Sequence, residues 1–405
     1  MRRLAVLSTA IAWFACGDGP ISASDASVKD SWDSSRRDAT FDSSSVPDAP
    51  SDSGPRGTGF PTSSLPSCTG TPIFSTLPMA LSDFSYITPL GNINPQAHTA
   101  PTNHLYFAYS PASTKRAFAP GDVHITYVEK KTYASTGNTD FQVQFGVCKE
   151  VATWYDHITL DAAIEAKIAA YNGGCVDRGI AGTTIKSCTA FGLDIVVANG
   201  TFIGTGGSSN NLDVGTRDTR INLSFLNAEF KKTYGNTACP LDYFSGDTKL
   251  ALEAMLGGPD GIRRTSSPIC GKVDYDLADT ARGMWILPNQ STMDERNALT
   301  LAPHNYRDGK QTIGNGTDAN SATNAFAFTP TSTGQVNRDF AQVRADGTTF
   351  CYDTFINARM GTASQGNIVL IKLTGNASLS IERQGASACG SGPWTMTSAA
   401  QNFVR

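Results

Sequence analysis

Nine cysteines in a chain of 405 residues constrain what it can fold into more than any other feature. They divide into Cys16, near the start, and eight that follow: Cys68, Cys148, Cys175, Cys188, Cys239, Cys270, Cys351 and Cys389. The eight all lie beyond a leader with the layout of a secretory signal. Arg2 and Arg3 give a positive start, Leu4 to Ala15 form an uncharged, mostly apolar run, and small Ala15 precedes Cys16. The run is about 12 residues, against the roughly 20 that a membrane-spanning helix needs. An even set of cysteines in an exported chain predicts four disulfides, with 105 formal connectivities. Neighbours in sequence suggest Cys175 with Cys188, Cys239 with Cys270 and Cys351 with Cys389. The chain contains no Cys-x-x-C pair, which argues against a cysteine-rich zinc site or a thioredoxin-type redox centre.

The end of the leader, Trp13-Phe14-Ala15-Cys16, resembles a bacterial lipobox, although Trp13 stands where leucine is usual. The resemblance implies cleavage before Cys16, lipidation of that residue and, with Gly17 next, an outer-membrane destination. Residues 1–15 are thus expected to be a signal peptide. Residues 16–66 are dominated by Ser, Asp, Pro and Gly and bury too little apolar surface to offset their chain entropy. They read as a disordered tether that lets a folded part reach tens of ångströms from the membrane, at about 5–6 Å times the square root of its length.

Behind the tether remain enough residues for two domains, expected over 67–238 and 239–405. A net charge of −4, only 17% charged residues and no basic stripe disfavour nucleic acid as a partner. The pattern is mainly β. Val123 to Val128 and Phe141 to Phe145 alternate at period two, with a Pro120-Gly121 turn ahead of the first. Further strands are expected at Ile195–Val197, Phe202–Ile203, Met284–Leu287, Ala298–Leu301, Ala325–Phe328, Thr349–Tyr352, Ile368–Leu373 and Leu379–Glu382. Leu160, Ile164, Ile168 and Tyr171 share one helical face, which predicts a helix capped by Thr159 and stopped at Gly173-Gly174. Two short helices are expected near 226–235 and 248–256.

Four of the five histidines fall between residues 98 and 157: His98, His104, His124 and His157. Their order, with the segments around them, resembles the LytM/lysostaphin-like (M23) zinc endopeptidases of the bacterial cell wall. His98-Thr99-Ala100-Pro101-Thr102-Asn103-His104 stands where the first ligand motif would be, and Ala119-Pro120-Gly121-Asp122-Val123 is similar to the family's turn into a strand. Tyr155-Asp156-His157-Ile158 resembles its Tyr-x-His-Leu segment, and Val197 to Gly204 its Gly/Ile-Gly hairpin. Asn211-Leu212-Asp213-Val214 takes the place of the closing His-x-His. The resemblance covers residues 84–220. It implies an M23-like antiparallel β domain, followed by a second β-rich, disulfide-containing domain. It also implies one zinc held by His98, His104 and Asp213, with Asn103 as a weak alternative ligand and His157 as the catalytic residue. The substrate would be peptidoglycan or a peptide cross-link. The sequence departs from the family at Asn103, which replaces an acid, at the spacing of the first motif, and at Asn211 and Asp213, which replace two histidines.

The residues admit plainer roles as well. His124 reads as a strand-face residue, His304 as structural, and His104 as a partner in a buried loop. Asp213 and Asp218 can be turn formers or ion-pair partners of Arg217 or Arg220. Gly204-Thr205-Gly206-Gly207-Ser208 lacks both the spacing of a nucleophile elbow and the lysine of a phosphate loop. The C-terminal half is expected to be a β-sandwich or barrel fastened by Cys351. Its Trp285, Tyr352 and Trp394 suit either carbohydrate contact or a core. Two readings therefore stand side by side: an envelope zinc hydrolase, or a non-catalytic envelope module with a degenerate metal site.

Overall fold

The computed structural model describes residues 64–405 apart from 72, 96–97, 110–114, 181–182, 208, 291–292, 318–324, 360 and 364–365. The leader, Cys16 and nearly all of the tether lie outside the described residues. The fold is mainly β and consists of two antiparallel sheets. The first holds eleven strands: β1 (Tyr86–Thr88), β2 (His104–Ala108), β3 (Arg116–Phe118), β4 (Val123–Tyr133), β5 (Thr139–Gly146), β6 (Val151–Leu160), β7 (Cys175–Ile180), β8 (Thr183–Val197), β9 (Phe202–Gly206), β10 (Asn211–Asp218) and β11 (Thr237–Ala238). Its main path runs β1-β2-β10-β6-β5-β4-β8-β7. The sequence-distant β10 is thereby inserted between β2 and β6. Asp213 lies opposite Tyr106 on one side and opposite Asp156 on the other.

Period-two alternation decides what each face carries. Leu105 and Phe107, Val143 and Phe145, Tyr155 and Ile158, and Leu212 and Val214 enter one buried core. The opposite face presents His104, Asp140, Gln142, Asp156 and Asp213, and it too is buried. A sheet with one oily face and one ionisable face that is largely buried is the frame of the site.

The second sheet has nine strands, running from Gly283–Ile286 to Gln401–Val404. Its first strand joins the two cores: Met284 and Ile286 point into the first, and Trp285 between them points into the second. Phe230, Tyr234, Leu252, Leu256 and Val273 also belong to the first core. The first core thus takes in residues on both sides of 238/239, as far along the chain as Met293 and Ala298. The described residues belong to one compact unit. The Cys239–Cys270 disulfide and the bridges Ile87↔Leu256 and Leu90↔Gly271 fasten the connecting segment to the first sheet.

All three disulfides suggested by sequence neighbours occur, and Cys68–Cys148 is the fourth. The short helices appear as α2 (Ala228–Tyr234) and α3 (Gly246–Glu253), after a single turn, α1 (Ala162–Glu165). That single turn corrects the longer helix expected from Leu160 onward. Thr159 and Leu160 are still paired in β6, opposite Thr205 and Gly204 of β9. The cap is Asp161, whose carboxylate accepts from the Ala163 amide. Among the C-terminal aromatics, Trp285 and Tyr352 are fully buried, and half-buried Trp394 donates its Nε1–H to the Cys389 carbonyl. They serve packing.

Candidate functional site

One small pocket gathers His98, His104, Gln142, Trp154, Asp156, His157 and Asp213. Three neighbouring strands supply its floor. His104 opens β2, Asp213 lies in β10, and Trp154, Asp156 and His157 follow along β6. Gly215 makes room for Trp154, because a Cβ there would overlap the indole ring.

His157 reaches the site through an irregularity. The pairing of β5 with β6 slips between Phe141 and Val143, so that two residues of β6 face one of β5. His157 takes the left-handed conformation at φ 60°. Tyr155 and Ile158, three apart, both stay in the core, and Asp156 and His157 are both turned to the polar face. A β-bulge re-aims a side chain in this way. The bulge is braced by the His157 amide, which donates to Asp156 Oδ1 at 2.7 Å, and by the Gly207 amide, which donates to the His157 carbonyl at 2.7 Å.

The electrostatics follow from that placement. His157 Nδ1 lies 2.6 Å from Asp140 Oδ2 and 2.9 Å from Ser209 Oγ, and its Nε2 lies 3.6 Å from Asp213 Oδ2. Burial works against a charged ring, yet the carboxylates of Asp140, Asp156 and Asp213 outweigh it and push the His157 pKa up to about 10. Asp156 is buried beside the Lys131 ammonium, 2.6 Å away, and accepts from Gln142 at 3.1 Å. Against its burial, Lys131 and His157 hold Asp156 below the usual carboxylate range. His98 behaves in the opposite way: burial, and then the adjacent His104 ring, lower it to about 3, so it is neutral. The two rings lie edge to face with centroids 5.5 Å apart.

His104 Nδ1 lies 3.1 Å from Asn103 Oδ1. Its Nε2 is buried without a hydrogen-bond partner and faces Asp213 Oδ2 at 3.2 Å. Asp213 is held from its other oxygen by a short hydrogen bond from the Asn211 amide. The structure thus collects His98, His104, Asp213 and His157 in one place, and uses Asn103 to orient His104. Among the described residues, the donor atoms of Asp140, Asp156 and His157 lie within 4.8 Å of one another, whereas those of His98, His104 and Asp213 do not form such a set; sequence reasoning did not single out Asp140 or Asp156. The available signal was the alternation of Asp140, Gln142 and Gln144 with Phe141, Val143 and Phe145, which marks a polar face on an otherwise core strand.

The remaining histidines are structural. His124, near the start of β4, pairs with Asp194 at 2.6 Å on the outer face of the sheet. His304 is buried, with Nε2 2.8 Å from the Ala358 carbonyl and Nδ1 accepting from the Tyr306 and Arg307 amides. Asp218 pairs with Arg220 at 2.6 Å and accepts from the Tyr243 hydroxyl.

The pocket opens into a cleft of about 600 Å³ that includes His98, His157 and Asp213 in its lining. Tyr86, Tyr106, Tyr109, Asn92, Asn210 and Asn211 line it from the first sheet and its loops, and Tyr306, Asn357 and Arg359 from the C-terminal half. It combines neutral polar groups and aromatic rings with an ionisable floor. Comparison of the chain with protein-family models, with curated proteins and with solved structures returns no match.

Proposed function

We propose that the chain is an exported envelope lipoprotein, tethered through Cys16, whose first sheet carries a divergent M23-like site that acts on or binds peptidoglycan or peptide cross-links. The observation that carries this reading is His104 Nε2, a buried nitrogen with no hydrogen-bond partner, turned toward the Asp213 carboxylate at 3.2 Å with His98 in the same pocket. Two imidazoles and one carboxylate are a donor set that suits zinc with a position left open. His98, His104 and Asp213 would hold the ion. Bound there, zinc supplies a water of lowered pKa and polarises a scissile carbonyl.

The chain's own residues do the rest. His157 is kept protonated by its carboxylate neighbours and donates to oxygen where negative charge develops. Asp140 orients its ring through Nδ1. Asn211 holds Asp213. The tyrosines and asparagines of the cleft offer rings and amides to a peptide backbone, which is neutral and polar.

A second reading has its own support. Lys131 and Asp156 pair, and the adjacent His157 and Asp140 pair, so that these charges compensate one another. An already neutralised floor suits a module that binds wall material and cleaves nothing. Metal analysis of residues 49–405, which contain the compact unit, separates the two. The hydrolase reading expects about one zinc per chain, lost in His98→Ala. A metal-free wild type of undiminished stability ends that reading and leaves the binding module.

A further inference from the structure

We propose that Glu295, from the C-terminal half, is a positioning residue that sets the pose of His98. The inference rests on the reading of His98 as a site residue. His98 closes a tight two-way backbone bridge with Asn94. The Asn94 amide donates to the His98 carbonyl at 2.6 Å, and the His98 amide donates to the Asn94 carbonyl at 2.8 Å. That bridge holds the backbone as far as the His98 carbonyl. On the other side the chain turns inward, and Thr99 and Ala100 are essentially inaccessible to water. Their amides require an acceptor there.

Glu295 provides it. It is a buried carboxylate whose Oε2 accepts from the Thr99 amide at 2.6 Å and from the Ala100 amide at 2.7 Å, across almost two hundred residues of sequence. The Tyr234 hydroxyl meets its other oxygen at 3.4 Å. The second sheet also shapes the seat sterically. Gly316 adjoins both partners: a Cβ there would run into the Glu295 carbonyl and come within 2.8 Å of Thr99 Oγ1. Gly314 makes equivalent room for Ile93. One oxygen shared by two consecutive amides defines both the position and the direction of the backbone that carries His98. A carboxylate accepts such bonds more strongly than a neutral group. The C-terminal half therefore completes the site of the first sheet without contributing a ligand to it.

Glu295→Ala, Glu295→Gln and, as a destabilised control far along the second core, Ile381→Ala test the proposal in residues 49–405. Zinc titration is expected to weaken about 10- to 100-fold in Glu295→Ala, as for residues that orient a ligand from behind. Affinity should return in Glu295→Gln, which keeps an oxygen for both amides, and stay at the wild-type level in Ile381→Ala. The ring carbon–proton resonance of His98, read without metal, should shift or broaden in Glu295→Ala alone. An unmoved His98 resonance in Glu295→Ala overturns the proposal whatever zinc does, and so does an equal response in Ile381→Ala. A wild type that takes no zinc removes the metal reading but leaves the resonance to decide the role of Glu295.

Discussion

The two sheets bury the same residue type in opposite ways. In the first, His157 lies among Asp140, Asp156 and Asp213 and is driven toward the charged form, with its pKa up to about 10. In the second half, His304 is lowered to about 4, first by burial and with Arg307 adding to it, and its ring serves as a neutral hydrogen-bonding block. The second core is built of Trp285, Phe328, Phe340, Tyr352 and Phe403, with no charged side chain among its clustered residues. The first sheet carries a comparable apolar core on one face and devotes the other to buried charge. Buried charge is costly unless paired, and replacing such a pair with neutral groups often leaves stability intact. The first sheet packs Lys131, Asp140, Asp156, His157 and Asp213 against one another, and that clustering of buried charge marks where chemistry or binding takes precedence over stability.

The sharpest way to break this comparison is Lys131→Met. Lys131 and Asp156 have side chains only 6% and 7% exposed. Removing the ammonium takes from a buried carboxylate its closest cation, at an expected cost of about 3–5 kcal/mol. The double substitution Lys131→Met/Asp156→Asn should recover more than half of that, because no charge is stranded and the asparagine oxygen still accepts from the His157 amide. Urea unfolding of both variants gives the answer. A double variant no more stable than the single would mean that the pair is structural, and the contrast between the sheets would lose its basis.

How far the sequence reveals all this depends on which force sets each feature. Alternation at Val123–Val128 and Phe141–Phe145 reports burial directly, so those strands are legible. Cysteine spacing is equally direct where the partners are neighbours in sequence, as with Cys175 and Cys188. The helix expected after Thr159 fails because Thr159 and Leu160 find partners on β9, and a non-local ladder overrides a local face. Within the site, His98, His104, His157 and Asp213 stand out as histidines and as a motif remnant. Asp156 does not, since a strand places neighbours on opposite faces and only the bulge at His157 brings both to one side. Glu295 is silent for another reason: nothing local in Asp294-Glu295-Arg296 points to two amides so far away in sequence. The strand Gly283–Ile286 feeds two cores by alternation, which composition alone does not reveal.

His304 sharpens the comparison from the other half. It is 6% exposed, and both ring nitrogens are used by the backbone. A proton on Nδ1 would displace the Tyr306 and Arg307 amides. The folded pKa, about 4, lies below the 6.5 of an unconstrained ring. The unfolded chain therefore binds the proton first, and stability present above pH 6.5 is lost as the pH falls toward 4. The loss should reach about 3 kcal/mol. His304→Asn, whose side-chain oxygen can still accept from those amides, should flatten that part of the profile in urea midpoints taken between pH 8 and 4. A variant profile with the same slope as wild type would place the acid sensitivity elsewhere.

The smallest effect is expected one residue from the largest. Lys130 precedes Lys131 on β4 but points to the other face, where it meets Glu165 of α1 at 2.7 Å and lies 5.4 Å from the centre of the Phe141 ring. Both side chains of this pair are about a third exposed, at 34% and 35%. Water and salt screen the attraction, and ordering two long chains opposes it, so Lys130→Met should cost less than about 1 kcal/mol. The apolar stem of methionine keeps the contact with Phe141. Raising the salt concentration should shrink even that difference, while the cost of Lys131→Met should hardly change. Equal losses at the two positions would mean that the polar face of the first sheet is more hydrated than its burial implies, and the distinction between its two faces would then rest on shape alone.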